Sequence, residues 1–324
     1  MKTYLSGIQP SGLQHLGNYF GAIEQHIRLQ GEQGHQFYFI ADYHALTTVR
    51  DPGELRDRVR ETAVTYLALG LDPERAVLFK QSDVPEVCEL TWLLANQCGM
   101  GLLERAHSYK DKVAKGISPH AGLFLYPVLM AADILAYDSD FVPVGADQKQ
   151  HVEIARDLAG SFNNAYGEVF RVPEVVFSRH QKVPGVDGEK MSKSYGNDIW
   201  VFETGKKLKK AVGRIVTDSR APADPKDPSS VLLYAFLELF LEADELASWA
   251  GRLRAGGVDG PGYGHLKVRL IEAVEERFRG ARERRAELLA DPAQVDAVLA
   301  AGAARARARA VATRDRALAA CGLR

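Results

Sequence analysis

The chain has 324 residues, of which 46% are hydrophobic and 26% charged, with a formal charge of −1. That length accommodates two domains, the composition is ordinary for a globular chain, and no run approaches the ~18–20 apolar residues of a membrane span. Cys88, Cys98 and Cys321 lack metal-ligand spacing and read as reduced thiols, which argues against a structural zinc or a disulfide framework. The opening Met1-Lys2-Thr3-Tyr4 is not a secretory signal, so the expected compartment is cytoplasmic. The small net charge hides an asymmetry. Residues 201–324 hold 22 Lys and Arg against 17 Asp and Glu, and residues 1–200 hold 19 against 25. A basic second half fits a polyanionic partner, although a solvated helical surface gives the same balance.

In chain order, Thr3–Leu5 reads as a short buried strand and Gly17–Leu29 as a helix. Phe37–Ile40 is the next strand. Asp51–Leu69 is a helix with a capping Asp51, proline at the first helical position and Glu54 three residues after the cap. A strand at Val77–Phe79, a helix at Ala121–Tyr137, a strand at Val142–Val144 and a helix at Gln148–Phe162 continue the alternation. Such alternation predicts an α/β domain with a Rossmann-like parallel sheet covered on both faces over residues 1–200. After Ser194 the pattern turns to Ala, Leu, Glu and Arg at helical spacing, so residues 201–324 are expected to form an all-helical domain. Within it, Arg305, Arg307 and Arg309 look like a nucleic-acid stripe, but spacing by two places Arg307 on the other side of a helix. A solvated helix is the expectation there.

Lys190-Met191-Ser192-Lys193-Ser194 brings two ammonium groups and two hydroxyls to one loop, opened by Pro184-Gly185-Val186-Asp187-Gly188. Such a tip suits a polyphosphate. Near the N-terminus, Gly7, Gly12 and Gly17 allow tight turns, and the helix after Gly17 offers free N–H groups and a positive dipole end to an anion. His15 and Asn18 add neutral donors beside it. Asp133 sits in a long apolar run, on one helical face with Met130 and Tyr126. A carboxylate only accepts and an indole N–H only donates, so Asp133 below an aromatic, Met-lined pocket suits an indole; a structural ion pair is the alternative. Val142–His151 reads as another strand–turn–helix junction, where Asp147 is placed to accept from ribose hydroxyls and Gln148 to hold an amino-acid head group.

His15-Leu16-Gly17-Asn18 early and Lys190–Ser194 late resemble the two signatures of class I aminoacyl-tRNA synthetases. Together with Ala131–Leu135, Val142–His151, Ile215–Ser219 and Gly262-Tyr263-Gly264, they make nearly the whole chain similar to the tryptophanyl-tRNA synthetase family. The resemblance implies ATP against Gln9, Pro10 and Ser11, against His15, Gly17 and Asn18, at the Gly145-Ala146-Asp147 turn, near Val183, and against Lys190, Met191, Ser192, Lys193 and Ser194. It implies tryptophan against Leu5, Gly7, His44, Tyr126, Met130, Asp133, Val142, Val144 and Gln148. Lys190, Lys193 and Lys112 would act on the leaving pyrophosphate, with Mg²⁺ on the ATP. A homodimer, tRNA(Trp) as partner, and an anticodon-reading helical domain over 201–324 are implied as well. Leu5 stands where relatives often have Phe, Ala146 where Glu is frequent, and the approach through Pro184-Gly185 is short. A tyrosyl-specific synthetase, a nucleotidylyltransferase and a non-catalytic paralogue are the competing readings.

Overall fold

The computed structural model describes residues 1–105, 116, 120–145, 148–178, 182–258 and 260–324. Lys112, Ala146 and Asp147 lie outside the described residues. The chain divides into two compact units that interleave along the sequence. The first comprises Met1–Gly12, Glu24–Ser178 and Leu288–Arg324, and the second Leu13–Ile23 and Arg179–Glu287.

The first unit is built on five parallel strands, β1 (Thr3–Ile8), β2 (His35–Ile40), β3 (Ala76–Lys80), β4 (Phe141–Val144) and β5 (Glu174–Phe177), in the order β3-β2-β1-β4-β5. β2 and β3 are apolar on both faces and almost wholly buried, as strands covered by helices on both sides must be. The strand order reverses between β1 and β4, and the crevice outside the carboxyl ends of the strands at such a point is where ligands bind in open α/β sheets. β1 ends into Gln9-Pro10-Ser11 and β4 into Gly145, so two expected nucleotide segments leave the sheet there.

Helix Pro52–Ala68 starts as its sequence dictates. Asp51 caps it by accepting from the Glu54 N–H at 2.7 Å, while Glu54 turns forward to Arg58 and leaves the reciprocal half of a capping box unmade. Two other helices shift at their ends, running Ala121–Leu135 and Lys149–Tyr166. Strand β5 and the helix Glu86–Ala95 are additions to the sequence reading. In β5, Val175-Val176-Phe177 is a three-residue apolar run followed by polar residues, too short to register as a period.

The helix expected over Gly17–Leu29 is broken into an α-turn at Leu16–Asn18, a π-turn at Tyr19–Ile23 and an α-segment at Glu24–Leu29. The π-turn directs Tyr19 and Phe20 into an aromatic cluster of the second unit. Tyr19 meets Phe278 edge-on at 5.0 Å, and Phe20 meets Phe240 edge-on at 5.1 Å. Around that cluster lie the helices Gly205–Gly213, Leu232–Leu237, Ala243–Ala255 and Tyr263–Arg277, with Leu233, Phe236, Leu266 and Leu270 fully enclosed.

The last helix, Pro292–Ala320, belongs to the first unit rather than to the helical one; Arg305 and Arg307 are exposed, as expected, while one face is buried. Gly302, Ala303, Ala306, Ala310, Thr313 and Ala317 form a buried small-residue face along it, and it packs beside β3 and the Glu86–Ala95 helix. Its three alternating arginines reach three different places in the first unit. Arg305 donates to the Pro73 carbonyl at 2.9 Å, Arg307 to buried Glu86 at 2.8 Å, and Arg309 lies 3.3 Å from Asp138. These cations are spent within the protein, so part of the basic excess after residue 200 belongs to packing. Among the described residues, no helix is long and apolar enough to cross a membrane.

Candidate active site

In the second unit the two signature segments, 174 residues apart, are bonded to each other. The Gly17 N–H points at Met191 Sδ at 3.3 Å. The chain after the lysine loop runs antiparallel to the first signature, with Leu16 N–H donating to the Ile199 carbonyl at 2.9 Å and Val201 N–H to that of Gln14 at 3.0 Å. A Cβ on Gly17 would stand 2.9 Å from the His15 ring and 3.2 Å from Met191 Cβ, so glycine is what permits this approach.

His15 and Asn18 cap their own helix reciprocally. His15 Nδ1 accepts from the Asn18 N–H at 3.2 Å, and Asn18 Oδ1 accepts from the His15 N–H at 3.0 Å. Accepting at Nδ1 puts the imidazole proton on Nε2. Burial first, and then the Lys193 charge, lower the His15 pKa to about 4, so the ring is neutral near pH 7. What His15 and Asn18 still offer a ligand is therefore a pair of neutral donors, Nε2–H and the Asn18 amide.

The lysine loop is a tight hairpin. Gly185 N–H donates to the Glu189 carbonyl at 2.6 Å, Met191 N–H to that of Val183 at 3.0 Å, and Gly188 turns the tip at φ +89°. Asn197, buried and not foreseen, ties it together. Its amide donates to Asp187 Oδ1 at 2.8 Å and to the Lys190 carbonyl at 3.2 Å, and its oxygen accepts from the Ser192 N–H at 2.7 Å. A Cβ on Gly185 would stand 2.3 Å from the Asn197 amide nitrogen, which explains the Pro-Gly approach. Lys190 is exposed and Lys193 half-buried, Ser192 and Ser194 share a hydroxyl bond at 2.9 Å, and Met191 is buried. Beyond the hairpin, Asp218 binds Arg220 and accepts from Tyr263 Oη at 2.5 Å, joining two segments that had stood out in the sequence.

The residues expected against tryptophan all lie in the first unit. Asp133 is 1% exposed on the helix Ala121–Leu135. His44 Nε2 lies 2.9 Å from its Oδ2, and the Gln81 amide donates to both oxygens at 2.9 and 2.8 Å. Tyr126, two turns earlier, is buried with its hydroxyl 2.9 Å from His151 Nε2, and its ring meets His44 edge-on at 6.1 Å. Met130 is half-buried against the core. Gly7 is exposed at the end of β1, with the Phe39 ring where a Cβ would go, 2.4 Å from Cζ. Leu5 is fully enclosed by the core and shows no free surface. Val142 is buried and Val144 half-buried on β4, and the Gly145 carbonyl accepts from the Gln148 N–H at 3.0 Å. Pro10 is buried between exposed Gln9 and Ser11. Gln81 is a member of this cluster that the sequence did not announce, because a glutamine after a strand has no distinguishing spacing, and His151 closes the Val142–His151 segment but was given no role there.

Residues 1–278 match the family model for class I tRNA synthetases of the tryptophan and tyrosine type. A tryptophan–tRNA ligase of Rhodopirellula baltica is 56% identical over 321 residues, covering 99% of both chains. That of Fusobacterium nucleatum is 50% identical over 313 residues, covering 96% of this chain and 95% of its own. The chain belongs to the class I tryptophanyl-tRNA synthetase family. Its fold is shared with the tryptophanyl-tRNA synthetase of Campylobacter jejuni, solved with ADP and tryptophan, at a TM-score of 0.91 and 48% identity over 99% of this chain and 100% of that one.

Proposed function

We propose the following division of labour for the tryptophan–tRNA ligase activity that family membership carries. The first unit selects the amino acid. The observation that carries this assignment is Asp133, a carboxylate embedded in an apolar helix, 1% exposed, and held by His44 and Gln81. Its acceptor edge suits an indole N–H, and Met130 supplies soft contact to a ring edge while offering no partner to a phenol.

Both units carry segments expected at the nucleotide, Gln9-Pro10-Ser11 and Gly145 in the first and the two signature segments in the second. His15 and Asn18 offer neutral donors at the helix start, and the hairpin bonded to Gly17 through Met191 carries Lys190 and Lys193, a set of groups suited to phosphate. In the first step the tryptophan carboxylate attacks the α-phosphorus of ATP in line, and pyrophosphate leaves with its bonding electrons. Positioning and charge stabilisation carry that step. Lys190 and Lys193 meet the charge growing on pyrophosphate, and Lys112 is assigned the same task on the family pattern alone. Mg²⁺ enters with its substrate, carried on the ATP phosphates; among the described residues no group of three or more His, Cys, Asp or Glu side chains could hold an ion. In the second step the 2′-hydroxyl of the terminal tRNA ribose attacks the adenylate carbonyl and AMP departs.

Residues 201–287 are assigned to the tRNA anticodon region, a cytoplasmic setting follows from that substrate, and a homodimer completes the reading. Trp92 and Met100, 71% and 63% exposed, offer apolar surface that a second copy would cover. Aminoacylation of tRNA(Trp) and tRNA(Tyr), each with tryptophan and tyrosine, tests the function. Charging confined to tryptophan on tRNA(Trp) is expected, and tyrosine charging at comparable efficiency would overturn it.

A further inference from the structure

Asp133 is held by a residue that the sequence does not single out. Gln81 opens the turn after β3 and is 1% exposed. Its Oε1 accepts from the Tyr43 N–H at 3.1 Å and from the His44 N–H at 3.4 Å. Those bonds settle which way the amide faces, because an oxygen cannot donate and a backbone N–H cannot accept. The NH₂ end therefore faces Asp133, 2.9 Å from Oδ1 and 2.8 Å from Oδ2. An N–H directed at both oxygens needs lone pairs on both.

We propose that Gln81 is the positioning residue for tryptophan specificity: it holds both oxygens of Asp133 as acceptors, in the orientation that meets an indole N–H. The proposal rests on the reading of Asp133 as the indole acceptor. Its physical need is plain. Burial pushes the Asp133 carboxyl toward keeping its proton, and a protonated carboxyl would turn a donor toward another donor. The His44 and Gln81 hydrogen bonds oppose that drift.

The neighbouring titratable groups add nothing that would replace Gln81. Asp42, from the turn after β2, pushes the Asp133 proton affinity further up, and its own carboxylate is taken by Ser82 and by the Tyr43 N–H at 3.0 Å. Cys88 on the Glu86–Ala95 helix and Tyr137 beyond Asp133's own helix are both held protonated by burial. On the Lys149–Tyr166 helix His151 is bonded to Tyr126. His44 alone remains, and it reaches only Oδ2.

The test is pyrophosphate exchange with tryptophan and with β-(3-benzothienyl)alanine, which replaces the indole N–H by sulfur, as a function of pH. Wild-type protein should prefer tryptophan by roughly a hundredfold or more. Gln81→Met should lose at least about tenfold of that preference. The loss should fall on the tryptophan KM rather than on kcat, and the KM should recover as rising pH ionises Asp133. Gln81→Glu keeps an acceptor for Tyr43 and His44, and so spares the fold, but sets two carboxyls to share one proton. It should show the same loss and the same rescue by high pH, and it decides the matter if the methionine variant does not fold. Unchanged preference and a flat KM profile in the folded variants would overturn the role of Gln81 alone. Absence of the preference in the wild type would overturn the reading of Asp133, and this proposal with it.

Discussion

The lysine loop shows how single residues divide between chemistry and support. Lys190 and Lys193 point to phosphate by type and spacing, and Lys190→Ala and Lys193→Ala should each slow adenylation by roughly two to three orders of magnitude. The tryptophan dissociation constant should move little, since the charge they meet develops only as pyrophosphate leaves. Single-turnover adenylation with a separate tryptophan titration checks both halves, and unchanged rates would remove the lysines from the mechanism. Asn197 supports rather than reacts. Asn197→Ala strips three hydrogen bonds from the hairpin, leaving the Ser192 N–H and Lys190 carbonyl without their partner. Adenylation should fall roughly tenfold or more, with folding retained. If rate and ATP affinity both stay at wild-type values, the hairpin does not depend on it. The lysines were legible in the sequence and Asn197 was not, because its value lies in bonds that exist only once the hairpin has closed.

At the level of elements, periodicity found the strands that alternate with long helices and missed β5, whose apolar run is shorter than one readable period. It also gave the alternating arginines near residue 307 no partners, because those are residues 73, 86 and 138, remote in sequence. The final helix depends on Gly302. A Cβ there would stand 1.9 Å from the Leu78 carbonyl oxygen of β3, and a strand backbone cannot swing aside as a side chain could. Gly302→Ala gains up to ~1 kcal/mol of helix propensity, but displacing the helix from β3 and from the Arg307–Glu86 pair costs more, about 1–3 kcal/mol net. Denaturant unfolding should show that loss, and a variant as stable as the wild type would mean the helix is not seated on β3.

Over the whole molecule, an α/β sheet and a helical region were both evident, but the interleaved units were not. Residues 13–23 join the helical unit through Tyr19 and Phe20, and residues 288–324 join the sheet unit through a small-residue face, neither of which a composition shift reveals. Stability should also carry the mark of a buried histidine. His26 is stacked on Tyr38 at 4.6 Å and bonded to Tyr66 Oη at 2.9 Å, and burial lowers its pKa from 6.5 to about 3. The unfolded chain takes up the proton first, so stability is full above about pH 6.5 and falls between there and about pH 3. The slope is about 1.4 kcal/mol per pH unit. Unfolding midpoints for wild type and His26→Phe should converge as pH falls through this window, and parallel pH profiles would refute the assignment.

The central claim is that this protein activates tryptophan because Asp133 accepts the indole N–H. Pyrophosphate exchange with tryptophan, tyrosine and phenylalanine, in wild type and in Asp133→Ala, measures it directly. Wild-type exchange should be confined to tryptophan, and Asp133→Ala should lose at least about 1–3 kcal/mol of tryptophan kcat/KM, roughly ten- to a hundredfold, with ATP binding nearly intact. An Asp133→Ala enzyme that still prefers tryptophan over phenylalanine as strongly as the wild type would make the carboxylate structural and contradict the account.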